Sequence, residues 1–318
     1  MNGILLIDDA PEPFVGMAGF QLGTLLRRLG TTREAYGITS TFGLDEAVQR
    51  LRPKVLVPMG PGALDRVTGN SEILRYRGFT LNSPYGIPVV GTLHPNFLLP
   101  RRGEESSSKY VGCVLWDLLK AHRIATEGLH RIPVNYLLDP SPNGAGVFAD
   151  EYETALADDP DLPLAFDIET VGSLRKKDES EFEAEDFYVV RISFAFRPGH
   201  ALAIVWAPQY MDVIRRLLVL AGVKATWNGR QFDIPVVTNN RVVVAGLHVD
   251  CMDAFHFLQP NLPRGLEFAT SFYGGDDLVP WKHLGKAQPA YYSALDADAT
   301  VRCYLGIMEG LAQVEIAA

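Results

Sequence analysis

Short apolar runs alternating with amphipathic stretches set the pattern of the first third of the chain. Residues 3–7 (GILLI) read as a buried strand, and MAGFQLGTLLRRLG, after the PFVG turn, reads as a helix stopped at Gly30. KVLVPMG and IPVVGTL read as further strands. In KYVGCVLWDLLKAHRIAT, Val111, Val114, Leu115, Leu118 and Leu119 fall on one helical face. Strands alternating with helices predict an α/β domain with a parallel sheet between helical layers. The pattern weakens between residues 128 and 163, where DPSPNGAG is rich in turn formers. VNYLLD reads as a strand that opens a second domain, so the predicted division is 1–129 and 130–318. LPLAFDIE, YVVRISFAF and ALAIVWA then read as strands, MDVIRRLLVLAG as a helix and KATWN as a strand, with mostly helix beyond. The acidic run KKDESEFEAEDF lies between two of these strands and reads as a solvated hairpin loop.

The 318 residues, 47% hydrophobic and 21% charged, suit two soluble globular domains. The start, MNGILLIDDAPEP, has neither the basic head nor the cleavage site of a secretory signal. Every apolar run is broken before the roughly 18 residues a membrane span needs, so the expected location is the cytoplasm, away from membranes. Cys113, Cys251 and Cys303 are far apart and read as buried reduced thiols. The net charge of -9 is unevenly shared. Residues 1–127 hold 14 Lys and Arg against 12 Asp and Glu, leaving 15 against 26 for the remainder. An acidic half can still meet phosphates if its carboxylates hold divalent cations, which become the largest local charges.

Three separated pieces carry that chemistry. In LAFDIET, Asp167 and Glu169 stand two residues apart on a strand, so both project from one face. Such a pair is a hard-oxygen chelate suited to Mg²⁺ or Mn²⁺, although a DxE strand alone is weak support. NGRQFD brings Asp233 after an apolar strand; taken singly, Asn228 or Asp233 also reads as a helix cap. In YYSALDADAT, Tyr292 and Asp296 are four apart on a helical pattern, with Thr300 one turn further. A phenol and a carboxylate converging there could orient a water and help deprotonate it. Asp298 is six residues from Tyr292 and off its face.

In this order the pieces resemble the three motifs of the DEDD exonuclease superfamily. They are closest to its tyrosine-bearing subgroup, which includes proofreading domains of family A and phage DNA polymerases. HVDCMDAFHFLQPNLPRGLEFATSFYGG and PWKHLGK are similar to the segment that precedes the third motif in phage enzymes. The resemblance covers roughly residues 130–318 and implies an RNase H-like (DnaQ-like) domain with a mixed sheet. It also implies two divalent cations, Mg²⁺ or Mn²⁺, held by Asp167, Glu169, Asp233 and Asp296. Tyr292 would position the attacking water, and Thr170 and Asn228 would contact the terminal nucleotide. Two ions about 4 Å apart would stabilise attacking and leaving oxygens.

Nearly all of residues 1–127 resembles uracil-DNA glycosylases of the iron-sulfur type. The resemblance rests on PFVGMAGFQLGTLLRRLG, PKVLVPMGPGALDRVTG, LRYRGFTLNSPYGIPVVGTLHPNFLLP and KYVGCVLWDLLKA. It implies that Phe14 would stack on a flipped base and His94 would reach the base oxygen. The departures are substantial. The acidic loop shrinks to DDAP, leaving Asp9 in the acidic place; the base-reading Asn is replaced near Ser40; and no cluster cysteine has a counterpart, so no iron-sulfur cluster is expected. The implied role is a platform for DNA or a protein partner, with Arg75, Arg77, Arg101 and Arg102 as candidate phosphate contacts.

Together these readings imply a 3′–5′ exodeoxyribonuclease acting on single-stranded or frayed 3′ ends in a prokaryotic or phage-infected cell. It would serve replication or repair, in company with a DNA polymerase lacking its own proofreading domain. Two alternatives stand beside it: a bifunctional enzyme that also excises bases, and a non-catalytic replication assembly factor.

Overall fold

The computed structural model describes residues 2–99, 107–178 and 181–317, with side chains left aside at 173–178, 181–186 and 315–317. The chain divides into two compact units. One comprises Met1–Arg131 with the short returns Asn261–Pro263 and Gly274–Pro280; the other comprises Ile132–Pro260, Arg264–Tyr273 and Trp281–Ala318. Among the described residues, no helix is long and apolar enough to cross a membrane. Cys113, Cys251 and Cys303 are buried free thiols.

The first unit runs β1 (Ile4–Asp8), α1 (Gly16–Arg28), β2 (Gly37–Ser40), α2 (Leu44–Leu51), β3 (Val55–Pro58), α3 (Pro61–Thr68), α4 (Ile73–Tyr76), β4 (Thr80–Asn82), β5 (Pro88–Val90) and α5 (Val111–Glu127). Its sheet has the order β2-β1-β3-β5-β4. The first four strands are parallel, and β4 is antiparallel to β5. The fully parallel sheet expected from the sequence is thus corrected at one edge. The five residues between β4 and β5 are too few for a crossover, and a hairpin is the only closure they allow. Ser83 Oγ cinches that hairpin, donating to Ile87 O at 2.6 Å and accepting from Ile87 N at 3.2 Å.

Strand alternation sorts the layers. Leu5, Ile7, Leu56 and Val89 share one core with Leu44 and Ala47 of α2 and Ala63, Leu64 and Val67 of α3. Helix α5 packs on β1, β3 and β5 as well, covering the alternate side chains on the opposite face. The α5 stripe is rotated from the expected one: Cys113, Val114, Asp117, Leu118, Ala121, Ile124 and Ala125 are buried, whereas Leu119 is exposed. A buried polar residue causes the shift. Asp117 pairs with Arg77 and accepts from Thr92 Oγ1 at 2.7 Å, so a charged position lies in the middle of a face that apolar spacing alone would have centred elsewhere.

The second unit runs β6 (Asn135–Leu138), α6 (Pro142–Asp158), β7 (Pro163–Asp178), β8 (Glu181–Arg197), β9 (His200–Val205), α7 (Met211–Val219), β10 (Val223–Thr226), α8 (Asp233–Asn239), β11 (Leu247–Asp250), α9 (Cys251–Leu258), α10 (Leu266–Tyr273) and α11 (Pro289–Ala317). Helix α6 lies where the sequence showed turn formers. Ser141 caps it by accepting from Gly144 N at 3.2 Å, and Pro142 occupies its first turn, so residues that read as a turn begin a helix. Residues 179 and 180 of the acidic run KKDESEFEAEDF lie outside the described residues, and its described residues are strand where the sequence suggested a loop. Strands β7 and β8 remain paired through Lys176↔Phe182 to Asp178↔Glu181.

The second sheet has the order β11-β10-β7-β8-β9-β6, with β8 antiparallel to both neighbours and every other pairing parallel. This is a mixed sheet of RNase H-like topology. On one face Leu164, Phe166 and Ile168 of β7 pack with Phe148 and Tyr152 of α6 and Leu217 and Leu218 of α7. The alternate residues Ala165, Asp167 and Glu169 therefore face the other way, where α11 packs on β7, β8 and β9. Small buried residues line that side, namely Ala165, Ser193, Ala195, Ala201 and Ala203. They let α11 approach closely, and Ser293 through Tyr304 of α11 are buried all round.

Candidate active site

Strand β7 fixes the first two carboxylates. Asp167 lies opposite Ser193 and Glu169 opposite Arg191 in the β8 ladder, and a register shift follows between Glu169 and Thr170. The long buried helix α11 brings Asp296 over them. Asp167, Glu169 and Asp296 each present a ligand oxygen, all within 4.8 Å of one another. Asp233 enters as the first residue of α8 and is 3% exposed. It does not cap its own helix in the manner of an N-cap residue; its Oδ1 accepts from Ile168 N at 3.0 Å. That bond ties it to β7 between the two paired carboxylates.

The loop before α8 is held from below. Asp250 Oδ1 accepts from Asn228 N at 3.0 Å and Oδ2 from Arg230 N at 3.0 Å. Asn228 takes a left-handed φ of 66°. Gly229 leaves no room for a side chain, since a Cβ would lie 2.2 Å from Thr226 Oγ1 and 2.4 Å from Thr226 Cβ. Gly229→Ala is therefore expected to push this loop off β10. A cost of about 1–3 kcal/mol in urea unfolding follows for overpacking, together with a displaced Asp233; wild-type stability would contradict it.

Crowding governs the electrostatics. Burial, then the charges of Asp233, Asp296 and Glu169, raise the Asp167 carboxyl well above the ordinary range. Burial, then Asp296, pushes Glu169 up to about 7. Burial likewise takes Asp233 to about 7, although the Ile168 N–H pulls the other way. Burial raises Asp296, opposed by Lys282 and Trp281. Each value reflects a cluster short of positive charge. Glu169 Oε1 is buried without a hydrogen-bond partner. An orphaned carboxylate oxygen among hard-oxygen neighbours fits a divalent cation.

Tyr292 lies one turn before Asp296 on α11, as the four-residue spacing implies. Burial, then Asp296, raises its phenol pKa. Thr170 and Asn228 flank the cluster in sequence, on β7 and on the loop before α8. Asp298 is engaged elsewhere: it accepts from Tyr136 OH at 2.5 Å, from Gly199 N at 2.8 Å and from Arg302 Nε at 3.1 Å. The sequence did not single out Lys282, Trp281 or Glu267. Trp281 Nε1 donates to Asp296 Oδ1 at 2.7 Å, and Lys282 Nζ donates to Tyr292 OH at 2.8 Å. Trp281 and Lys282 lie in the segment between α10 and α11, where the only signal was PWKHLGK itself, and Glu267 lies in the first turn of α10, where an acidic residue is ordinary.

In the first unit, Phe14 and His94 come together: their rings stack with centroids 5.8 Å apart and planes 20° apart. The acidic residue that meets them is Asp8, whereas the sequence pointed to Asp9. Asp8 Oδ2 accepts from Phe14 N at 2.7 Å, and Asp8 Oδ1 lies 3.3 Å from His94 Nε2. His94 Nδ1 accepts from Asn96 N at 3.2 Å. Asp9 lines the same cleft of about 330 Å³, with Glu12, His94 and Asn96. Phe14 is 1% exposed. Arg77 is fully buried against Asp117 and is no phosphate contact. Arg75 pairs with Glu72 at 3.3 Å, and Arg101 and Arg102 lie outside the described residues.

No known protein family's sequence profile matches this chain, and no curated protein matches it. Solved structures are similar to it in part. The POL domain of Pol1 from M. smegmatis, in complex with DNA primer-template and dNTP, shows 16% identity and a TM-score of 0.40, over 57% of this chain and 28% of that one. The catalytic core of RRP6 from Trypanosoma brucei shows 12% identity and a TM-score of 0.41, over 59% and 50%. Brucella melitensis NrnC with bound Mg²⁺ shows 17% identity and a TM-score of 0.38, over 58% and 84%. This chain thus spans half or less of the length of the first two. Likeness at this level assigns no activity.

Proposed function

We propose that the second unit is a divalent-cation-dependent 3′–5′ exonuclease acting on DNA. The observation that carries the reading is the convergence of Asp167, Glu169 and Asp296, with Asp233 bonded between the first two, from three separate elements. A strand pair, a helix start and a buried helix would not meet in one acidic cluster for packing, because like charges in a buried space oppose folding. A divalent ion bound there supplies Lewis acidity and makes water acidic enough to be deprotonated near neutral pH.

The chain's own residues supply the rest. Glu169, whose Oε1 has no hydrogen-bond partner, would hold the ion together with Asp167 and Asp296, and the Tyr292 phenol would orient the attacking water. Thr170 and Asn228 would hold the terminal nucleotide. Positioning of this kind accounts for much of the catalysis available to phosphodiester hydrolysis. The direct test is a 5′-labelled oligonucleotide with a frayed 3′ end: ladder-like shortening with Mg²⁺ or Mn²⁺ that a chelator stops supports the reading, and a labelled strand that keeps its full length overturns it. The same strand in RNA tests the preference for DNA.

For the first unit the proposed role is a platform that brings the nuclease to DNA or to a polymerase, the nuclease then removing mismatched 3′ ends in replication or repair. Stimulation of mismatch removal by a polymerase that co-purifies with the chain is the expected result. Base excision is the second reading, favoured by the cleft that Asp8, Asp9 and His94 line. It is disfavoured because the Phe14 ring already rests on His94. Alkali-labile sites in a uracil-containing oligonucleotide would establish excision; none are expected.

A further inference from the structure

Lys282 has no part in the steps above, yet its half-exposed ammonium bonds to two residues of the site. Nζ lies 2.8 Å from Tyr292 OH and 3.2 and 3.3 Å from the two Asp296 oxygens. The placement is built. Glu267 Oε1 accepts from the backbone N–H of Trp281 at 2.6 Å and of Lys282 at 2.9 Å. Trp281, 1% exposed, is itself bonded to Asp296 Oδ1. A surface lysine on a free loop would wander; the backbone of this one is pinned on both sides of its peptide bond.

Two consequences follow from chemistry. An ammonium has donors and no acceptor, so in its bond to Tyr292 the phenol oxygen must accept. The phenol proton is then left to donate elsewhere. Asp296 is also one of the three residues whose oxygens form the cation cluster, so ammonium and divalent ion draw on the same carboxylate. Removing the ammonium should free charge for the metal while leaving the phenol without its orienting partner.

We infer that Lys282 is a positioning residue of this centre, which sets Tyr292 as a hydrogen-bond donor and competes with the divalent cation for Asp296. The inference rests on the nuclease reading for its catalytic half, whereas its cation half does not need turnover. The predicted signature is a pair of effects opposite in sign. A loss of fold would weaken metal binding and turnover together.

The experiment uses the full chain as wild type, Lys282→Gln, Lys282→Arg and Tyr292→Phe, the last also combined with Lys282→Gln. Mn²⁺ affinity is measured by calorimetry without DNA, and kcat and KM are measured on a 5′-labelled single strand. Lys282→Gln is expected to bind Mn²⁺ about tenfold more tightly, since a nearby positive charge is gone. Its kcat is expected to fall about 100-fold with KM little changed. Lys282→Arg should restore most of both values, and Lys282→Gln should cost far less in the Tyr292→Phe background. Unchanged or weaker Mn²⁺ binding by Lys282→Gln, full turnover, or a loss confined to KM overturns the role of Lys282. A wild type that binds Mn²⁺ without shortening DNA overturns the nuclease reading alone. A wild type that binds no Mn²⁺ overturns both.

Discussion

The double substitution Asp167→Ala, Glu169→Ala is expected to reduce 3′-end removal by about 10⁴-fold or more while leaving the chain folded. Both carboxylates sit on one strand, and their loss strips two of the three clustered ligand oxygens. Loss of a single preorganised electrostatic group costs on the order of 10²–10³ in kcat, and here two ligands of the cation go together. Folding should survive because neither side chain supports the core. Asp167 and Glu169 face α11, whereas Leu164, Phe166 and Ile168 face the apolar cluster. Burial and three neighbouring carboxylates already oppose the charge of Asp167, so alanine relieves repulsion. A denaturing gel of 5′-labelled product, with circular dichroism on the same sample, checks both halves. Stepwise shortening by the folded variant at more than a few per cent of the wild-type rate would refute the assignment.

How much of this centre could be read from the sequence depended on whether the geometry was local. Asp167 and Glu169 follow from the two-residue period of a strand, and Tyr292 and Asp296 from the turn of a helix. Asp233 is different. Its approach to β7 depends on β10 pairing beside β7, a long-range choice that no spacing in NGRQFD encodes; only the resemblance of the whole motif set brought it in. Trp281 and Lys282 escaped because a residue between two helices that reaches a helix about 14 positions later leaves no period, and Glu267 escaped because an acidic residue in a helix's first turn is ordinary. In the fold, the strands of the second sheet were plain from their apolar runs. Helix α6 was hidden because Ser and Pro serve turns and helix starts alike, and the short edge strand β11 was hidden because its four residues carry little signal. The charged centre of α5 failed for a related reason: apolar counting gives Asp117 no weight, although its pairing with Arg77 sets which face is buried.

The same crowding predicts how metal-free stability varies with pH. An acid whose folded value is raised holds more protons in the folded chain than in the unfolded one between the two values, so stability is lost as pH rises through that window. Glu169 moves from 4.5 to about 7 and Asp233 from 3.8 to about 7, which sets the window at about pH 4 to 7. The Glu169 shift alone corresponds to about 3 kcal/mol, and the cluster shares its protons, so the contributions do not simply add. Burial of His122 and His248 lowers both from 6.5. A base held neutral adds stability as pH rises, so these histidines oppose the trend near its upper end. Asp276 falls outside the window: despite burial, Arg123 and the His130 N–H hold it below 3.8. The comparison that isolates the cluster is therefore wild type against Asp167→Asn, Glu169→Gln, both in chelator. Thermal melts should show wild type losing ground to the variant as pH rises from about 5 to about 8. Excess Mg²⁺ or Mn²⁺ should raise the wild-type melting temperature most at the alkaline end, where the carboxylates are free to bind it, and should leave the variant nearly unmoved. Parallel pH curves for the two proteins would mean that the four carboxylates are not the strained group their burial makes them.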